Sequence, residues 1–354
     1  MKKCSANEVK KVMGLDLGDR KSCYLVVDEE GVIGAEGQER TEAGSLRRLF
    51  EQWAGCRVVM ETGTHSPWVS RVARAAGCEV VVANARQLEL ISKNRRKGDR
   101  VDARLLARLG RADVELLAPV RHRSQKAQQK LVWQRSREAL VEARTKLINN
   151  VRGQVKAWGG RLPKCSTGAF AGRVEGSIPR ELEEALLPML SLIRHLNEQI
   201  RSYERRIERE GAEEPVVRQW QAIDGVGVLV STTYRWTLDE PHRFKRSRDV
   251  GSYLGLVPRR DQSGETDRQL GITKAGDPHL RKLLVQSAQY ILGPFGKDCD
   301  LRRHGLKLMA GGGRRAKRRA VIAVARKLAV LMHRLWVTGE AYDPNYNQKR
   351  TEAA

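Results

Sequence analysis

Between residues 11 and 109 the chain changes its periodicity in an order that few architectures accept. Three short apolar runs come first, KVMGLDL (11–17), SCYLVVD (22–28) and GVIGAE (31–36), separated only by the turn-like GDRK and EEG. Their spacing and β-branched content predict an antiparallel meander. A helix is then predicted over 43–53, a buried strand over 57–62 (RVVMET), a helix over 66–76, a strand over 79–84 (EVVVAN) and a helical start over 86–91. After the basic run KNRRKGDR a further helix opens in KGDRVDARLLARL (97–109). Strands alternating with helices after a meander imply a mixed sheet covered on both faces.

That succession matches an RNase H-like fold, and it makes four carboxylates worth following. Asp16 falls at the end of the first strand and Glu61 at the end of the fourth. If these strands are parallel neighbours, both acids emerge at one edge of the sheet. Asp99 and Asp102 stand three apart at a helix start, on one helical face. Val101, Leu105, Leu106 and Leu109 supply an apolar stripe to dock that helix. Read alone, Asp99 is a helix cap and Asp102 a first-turn acid favoured by the macrodipole. Read together, four carboxylates at one place repel one another, and a hard divalent ion, Mg²⁺ above all, relieves that cost through oxygen ligands. Such metals activate an attacking oxygen and stabilise a leaving oxygen in phosphoryl transfer. His65 is an additional candidate ligand, although a loop histidine is more often only solvated.

Charge points to the partner. Residues 1–120 hold 21 basic and 17 acidic side chains, and residues 121–354 hold 45 and 25, so +20 of the net +24 lies in the later part. A near-balanced first part followed by a strongly basic remainder calls for a polyanion, and nucleic acid is favoured over a membrane surface. The six cysteines (4, 23, 56, 78, 165 and 299) form no CxxC pair and each reads as isolated, which suits reduced thiols in a cytosol. Neither a signal peptide nor a bilayer-long apolar run is visible, so a cytoplasmic protein with no membrane partner is expected.

The middle of the chain predicts one long helix over 125–158, a Gly/Pro/Ser-broken loop, and a second helix over 180–211 containing Pro188. Leu186, Leu190, Ile193, Leu196, Ile200, Tyr203 and Ile207 step along the second helix by threes and fours. This seam predicts a helical hairpin, either a coiled coil with another copy or a hairpin folded onto its own chain. Further on, QAIDGVGVLV (221–230) resembles a helix-hairpin-helix element offering backbone N–H groups to phosphate. GLVPRRDQSGETDRQLGITKAGDPHLRKLL then sets Ser263 among Arg259, Arg260, Arg268 and Lys274, with Arg281 beyond. A serine attacking a phosphodiester needs such a positive setting. No histidine adjoins it, and from local residues alone a surface Ser-Gly turn is the better reading. The end of the chain joins a basic cluster (RRAKRR) to a helix carrying Val324, Leu328, Leu331 and Leu335, after a joint at Gly311–Gly313 and before a tail expected to be disordered beyond Tyr346.

Taken together, GLDLG with Asp16, METG with Glu61, GDRVDA with Asp99 and Asp102, GLVPRRDQSG with Ser263, and GITKAGDPHLRKLL resemble the DEDD transposases of insertion sequences whose recombinases are guided by a bridge RNA. The resemblance covers nearly the full chain. It implies a RuvC-like RNase H domain (1–120) whose four acids bind Mg²⁺, an α-helical coiled-coil hairpin (121–214), a mostly α C-terminal transposase domain (215–346) with Ser263 as nucleophile, and a tail (347–354). It also implies a covalent phosphoserine link to DNA, a composite centre completed by the acids of another subunit, and a non-coding RNA pairing with donor and target DNA. A homo-oligomer follows, at least a dimer and, by the resemblance, a tetramer made from dimers, in a nucleoid-associated setting. Gly98 departs from the family's KTD form, where threonine is expected; the acids stay in place while the turn before them loosens. Two other readings stand beside this one. One is a metal-dependent hydrolytic or junction-resolving nuclease in which Ser263 is structural. The other is a non-catalytic RNA-binding protein, against which the four intact acids argue.

Overall fold

A computed structural model describes residues 11–85, 98–264 and 266–348. The helical start predicted over 86–91, most of the basic run after it, Cys4 and residues 349–354 lie outside the described residues. The chain divides into two compact units, residues 1–122 and 123–354.

The first unit is built on a five-stranded mixed sheet in the order β3-β2-β1-β4-β5. β1 (Val12–Asp16), β2 (Lys21–Val27) and β3 (Ile33–Arg40) form the antiparallel meander. β4 (Arg57–Glu61) and β5 (Glu79–Ala83) add in parallel to β1, compatible with the RNase H-like order expected. The central strands VMGLD and RVVME are apolar on both faces because both are covered. Met13, Leu15, Val58, Met60 and Val82 meet α1 (Ala43–Gln52) and α2 (Ser66–Ala75) through Leu46, Leu49, Phe50 and Val69. Val12, Val59 and Val81 meet α3 (Asp99–Ala112) through Ala103, Leu106 and Ala107.

Several expectations shift. β3 starts two residues later than predicted and runs to Arg40, because an edge strand is carried by its ladder to β2 and its polar residues face water. Gly98, not Asp99, is the N-cap of α3. Val101 is exposed, and the buried face is a small-residue stripe, Ala103, Ala107 and Gly110, with Leu106. Cys56 and Cys78 are not isolated: their sulfurs lie 3.9 Å apart at the starts of neighbouring strands, as free thiols.

The second unit opens with α4 (Gln125–Ala157), followed by α5 (Phe170–Val174) and α6 (Arg180–Ala212). The loop expected between the long helices holds α5, whose Phe170, Ala171 and Val174 close the end of the hairpin. Leu186, Leu190 and Ile193 are buried against Ile148, Val151 and Val155, so this part of the seam is covered by its own chain. α7 (Pro215–Trp220), α8 (Val228–Leu238), α9 (Asp249–Tyr253), α10 (Pro278–Leu292), α11 (Asp300–Met309) and α12 (Gly313–Thr338) pack around Trp220, Tyr234, Leu284, Val324, Leu328 and Met332. Two large aromatic side chains of this core satisfy their polar atoms on the backbone: Trp220 Nε1 donates to the Met332 carbonyl at 2.8 Å and Tyr234 Oη to that of Ala329 at 2.6 Å. Gly313 begins α12, so the glycine joint is shorter than predicted. The backbone N–H of Asn347 donates to Asp300 at 2.7 Å, so the first residue of the tail expected to be disordered is held, while residues 349–354 lie outside the described residues. Among the described residues no helix is long and apolar enough to cross a membrane.

Candidate active site

Strand period and helix docking together assemble the acidic cluster. Side chains alternate along a strand, so Val12, Gly14 and Asp16 share the face of β1 that α3 covers. Val59 lies on that same face of β4, which places Glu61, two residues on, beside it. β1 and β4 run parallel with Leu15 opposite Met60, so the next pair along the ladder is Asp16 and Glu61, at the ends of both strands.

α3 crosses this face with almost no spacer. A Cβ on Gly14 would lie 1.9 Å from the Ala103 carbonyl oxygen, and one on Gly110 would lie 2.4 Å from Val59. Side chains outside the core hold both ends of the helix. Arg100 in the first turn pairs with Glu36 of β3, and Arg57 Nη1 donates to the Gly110 carbonyl at 3.0 Å. The first turn of α3 therefore brings Asp99 and Asp102 toward the sheet edge that carries Asp16 and Glu61.

The electrostatics register that convergence. Burial first, then the carboxylates of Asp99, Asp102 and Glu61, push the Asp16 carboxyl up to about 6 against the pull of the Leu17 backbone. Among the described residues no three His, Cys, Asp or Glu side chains stand at ligating distance around one point. The four acids share a field without forming a closed coordination shell. Their donors are all carboxylate oxygens, a set that fits a hard divalent cation and not a soft one. His65 is already engaged: its Nδ1 accepts from Trp68 Nε1 at 3.1 Å, and its Nε2 lies 3.5 Å from Asp19.

In the second unit Ser263 ends β6 (Pro258–Ser263), which pairs with β7 (Thr266–Ile272) in an exposed two-stranded hairpin. Ser263 lies opposite Thr266, next to Gly264 with its φ of 54°. The turn expected here is present, and two strands that the sequence pattern does not announce carry it. Arg259 and Arg268 are exposed on the hairpin. Arg260 is engaged across it, binding Asp267 through two hydrogen bonds of 2.9 and 2.8 Å. Lys274 follows β7 with a positive φ of 57°, and its N–H donates to the Gly255 carbonyl at 3.2 Å. Arg281 on α10 faces inward: Nη1 donates to the carbonyls of Leu254 (3.1 Å) and Ala275 (2.6 Å), anchoring the chain on either side of the hairpin.

Sequence reasoning missed the glycines that set the helix height. A glycine between buried strand residues at 14, and small residues at 103, 107 and 110, were the available signals for a backbone-to-backbone approach.

Comparison with known proteins matches two stretches of the chain, one holding the acids and the other the hairpin. A family model named for the DEDD transposases of IS110 and described as "Transposase" matches residues 13–158, which carry all four acids. A second, described as "Transposase IS116/IS110/IS902 family", matches residues 218–296, which carry the Ser263 hairpin. The transposase for insertion sequence element IS1111A of Coxiella burnetii is 27% identical over 341 residues, covering 94% of this chain and 91% of its own. A probable family 20 transposase of Pseudomonas aeruginosa is 26% identical over 340 residues, covering 94% and 98%. The transposase for insertion sequence element IS1328 of Yersinia enterocolitica is 26% identical over 285 residues, covering 78% and 83%.

Proposed function

Because the chain belongs to the IS110 family of transposases, enzymes that cut DNA strands and transfer them, we propose that it does so through Ser263 and a Mg²⁺-binding carboxylate cluster. What supports this reading is the convergence of Asp99 and Asp102, in the first turn of α3, on the sheet edge where Asp16 and Glu61 end neighbouring parallel strands. These four residues would hold Mg²⁺, which supplies charge neutralisation at the scissile phosphate.

The chain's own residues do the rest. The Ser263 hydroxyl oxygen attacks phosphorus and a sugar oxygen of the broken strand leaves, giving a phosphoserine link. A sugar hydroxyl of the joining strand then attacks that phosphorus and releases Ser263. Arg259, Arg268 and Lys274 balance the charge that develops on the phosphoryl oxygens, while Arg260 and Arg281 keep the hairpin in shape. What supports a bridge RNA, a composite centre between subunits and a coiled coil pairing two copies is the family resemblance, to which the basic excess of residues 121–354 adds charge complementarity. A cytoplasmic, nucleoid-associated setting follows from a DNA substrate.

The test mixes purified protein, Mg²⁺, element-junction DNA and its flanking RNA, quenched under denaturing conditions. Wild type is expected to carry a labelled strand covalently, and Ser263→Ala to carry none. Cleavage without an adduct, undiminished in Ser263→Ala, would replace this reading with a hydrolytic nuclease.

A further inference from the structure

None of the hairpin residues lines the open groove of about 740 Å³ that lies between residues 246–248, α11, α12 and residues 342–347. Arg246, Arg248, His304, Arg326, Lys327 and Arg334 all contribute to its walls. Among the described residues, Arg246, Arg248, Arg326 and Lys327 have no ion-pair partner.

The two acids in the wall, Asp300 and Asp343, are outnumbered by its five Arg and Lys side chains. Asp300 accepts from Arg303 at 2.9 Å and from the Asn347 backbone at 2.7 Å, and Asp343 accepts from the Asn345 backbone at 2.9 Å. Arg334 stacks over the Tyr346 ring at 4.2 Å. The groove is thus positive. Burial first, with repulsion from Lys327 and Lys307 added, holds the His304 imidazole in its wall below the usual histidine range.

The cations continue beyond the groove. Arg315, Arg319 and Arg326 are exposed on α12 at separations of four and seven residues, one and two helical turns, so they form a stripe on one face. Eleven residues of helix span roughly 16 Å, about five base-pair steps of DNA. A small anion needs a closed set of two or three donors. An open groove feeding an arginine stripe of this length matches a repeating polyanion.

We propose that this groove and the Arg315–Arg319–Arg326 stripe form a DNA-backbone site of the second unit, seating duplex phosphates through Arg248, Arg326 and Lys327. The proposal rests on the reading of the chain as an enzyme acting on DNA, and it adds a duplex anchor that neither the carboxylates nor the Ser263 hairpin supplies.

The experiment uses the full chain and a 30-base-pair duplex of arbitrary sequence, with anisotropy titrations at several KCl concentrations. Arg248→Glu with Lys327→Glu is expected to weaken binding more than tenfold near 0.1 M salt. It should also reduce the slope of log affinity against log salt by about 2, roughly one for each phosphate no longer neutralised. Arg248→Gln with Lys327→Gln, which removes charge without adding repulsion, is expected to give the same change in slope with a smaller loss of affinity. Arg201→Glu, an exposed reversal on α6, is expected to stay within twofold of wild type. An unchanged slope in both groove variants would overturn the site while leaving Ser263 adduct formation intact. Loss of single-stranded RNA binding with duplex binding unchanged would overturn the assignment to DNA. A wild type that binds no duplex and forms no adduct would instead overturn the transposase reading itself.

Discussion

Gly14 and Ala103 touch backbone to backbone, with space for no side chain between them: a Cβ on Gly14 would sit 1.9 Å from the Ala103 carbonyl oxygen and 2.5 Å from the Ala107 nitrogen. That close approach sets the height of α3 above β1. Asp16 lies two residues beyond Gly14, and Asp102 immediately precedes Ala103, so one crossing point fixes the spacing of acids from two elements. Gly14→Ala must lift the helix, because the obstacle is backbone and not a flexible side chain. Overpacking of this kind costs roughly 1–3 kcal/mol, and a displacement near 1 Å at a reacting centre costs about 10²-fold in rate. Urea unfolding and strand-transfer assays should show both losses in Gly14→Ala. Gly34→Ala, with open space around its Cβ, should show neither.

The raised carboxyl of Asp16 makes the metal-free protein sensitive to pH in a defined direction. Its folded value of about 6 lies above the ordinary 3.8, so the folded state binds the extra proton between those values. Stability from this group is complete below pH 4 and is lost as pH rises through 6. Asp16→Asn resembles the protonated form. Without metal at pH 8 it is expected to be more stable than wild type by about 1 kcal/mol, the full shift being reduced because Asp16 is only half-buried. Adding Mg²⁺ should raise the melting temperature of wild type more than that of Asp16→Asn. Equal responses would mean that Asp16 is not a ligand.

Much of this architecture is legible in the chain because periodicity carries it. VMGLD and RVVME read as buried strands, and the positions of Asp16 and Glu61 at their ends follow from strand length alone. The height of α3 is not legible, since it depends on which glycine faces which alanine across two elements. The Ser263 hairpin escapes for the opposite reason: PRRDQS and TDRQLGI are exposed, so no buried face imposes an alternating pattern. The Cys56–Cys78 pairing of thiols and the inward turn of Arg281 are tertiary facts with no local signature.

Arg281 separates a role in shaping the hairpin from a role in holding nucleic acid. Its two carbonyl acceptors, Leu254 and Ala275, lie on the two sides of the β6–β7 excursion. Arg281→Ala leaves both without that donor, a loss on the order of 2 kcal/mol for charge-assisted bonds that are partly buried. Adduct formation should fall at least tenfold, while duplex affinity and its salt slope stay within experimental scatter of wild type. A reduced salt slope would instead make Arg281 a phosphate ligand.

Glu214 offers a test of the second unit that is independent of catalysis. Its Oε1 accepts from Lys130 Nζ at 2.8 Å and from Trp236 Nε1 at 3.0 Å, and its Oε2 lies 2.5 Å from Arg235 Nε. Lys130 is buried on α4, Glu214 precedes α7, and Arg235 and Trp236 belong to α8, so one carboxylate joins three helical segments. Burial opposes ionisation of Glu214, but Lys130, Trp236 and Arg235 outweigh it and hold the carboxyl below the usual range. With a depressed folded value, its contribution is present above pH 4.5 and is lost as pH falls through that folded value. Glu214→Gln strands the Lys130 ammonium, with Glu210 at 3.5 Å as a partial substitute. A loss of about 2–3 kcal/mol at pH 7 is expected, below the 3–5 typical of a fully orphaned buried charge. Converting Lys130 to Met in the same chain removes that orphan and should recover part of the loss. Urea midpoints of the single and double variants measure this directly. A double variant less stable than Glu214→Gln would mean that Lys130 is held chiefly by Glu210 and by the Trp236 ring beneath it, 5.4 Å away.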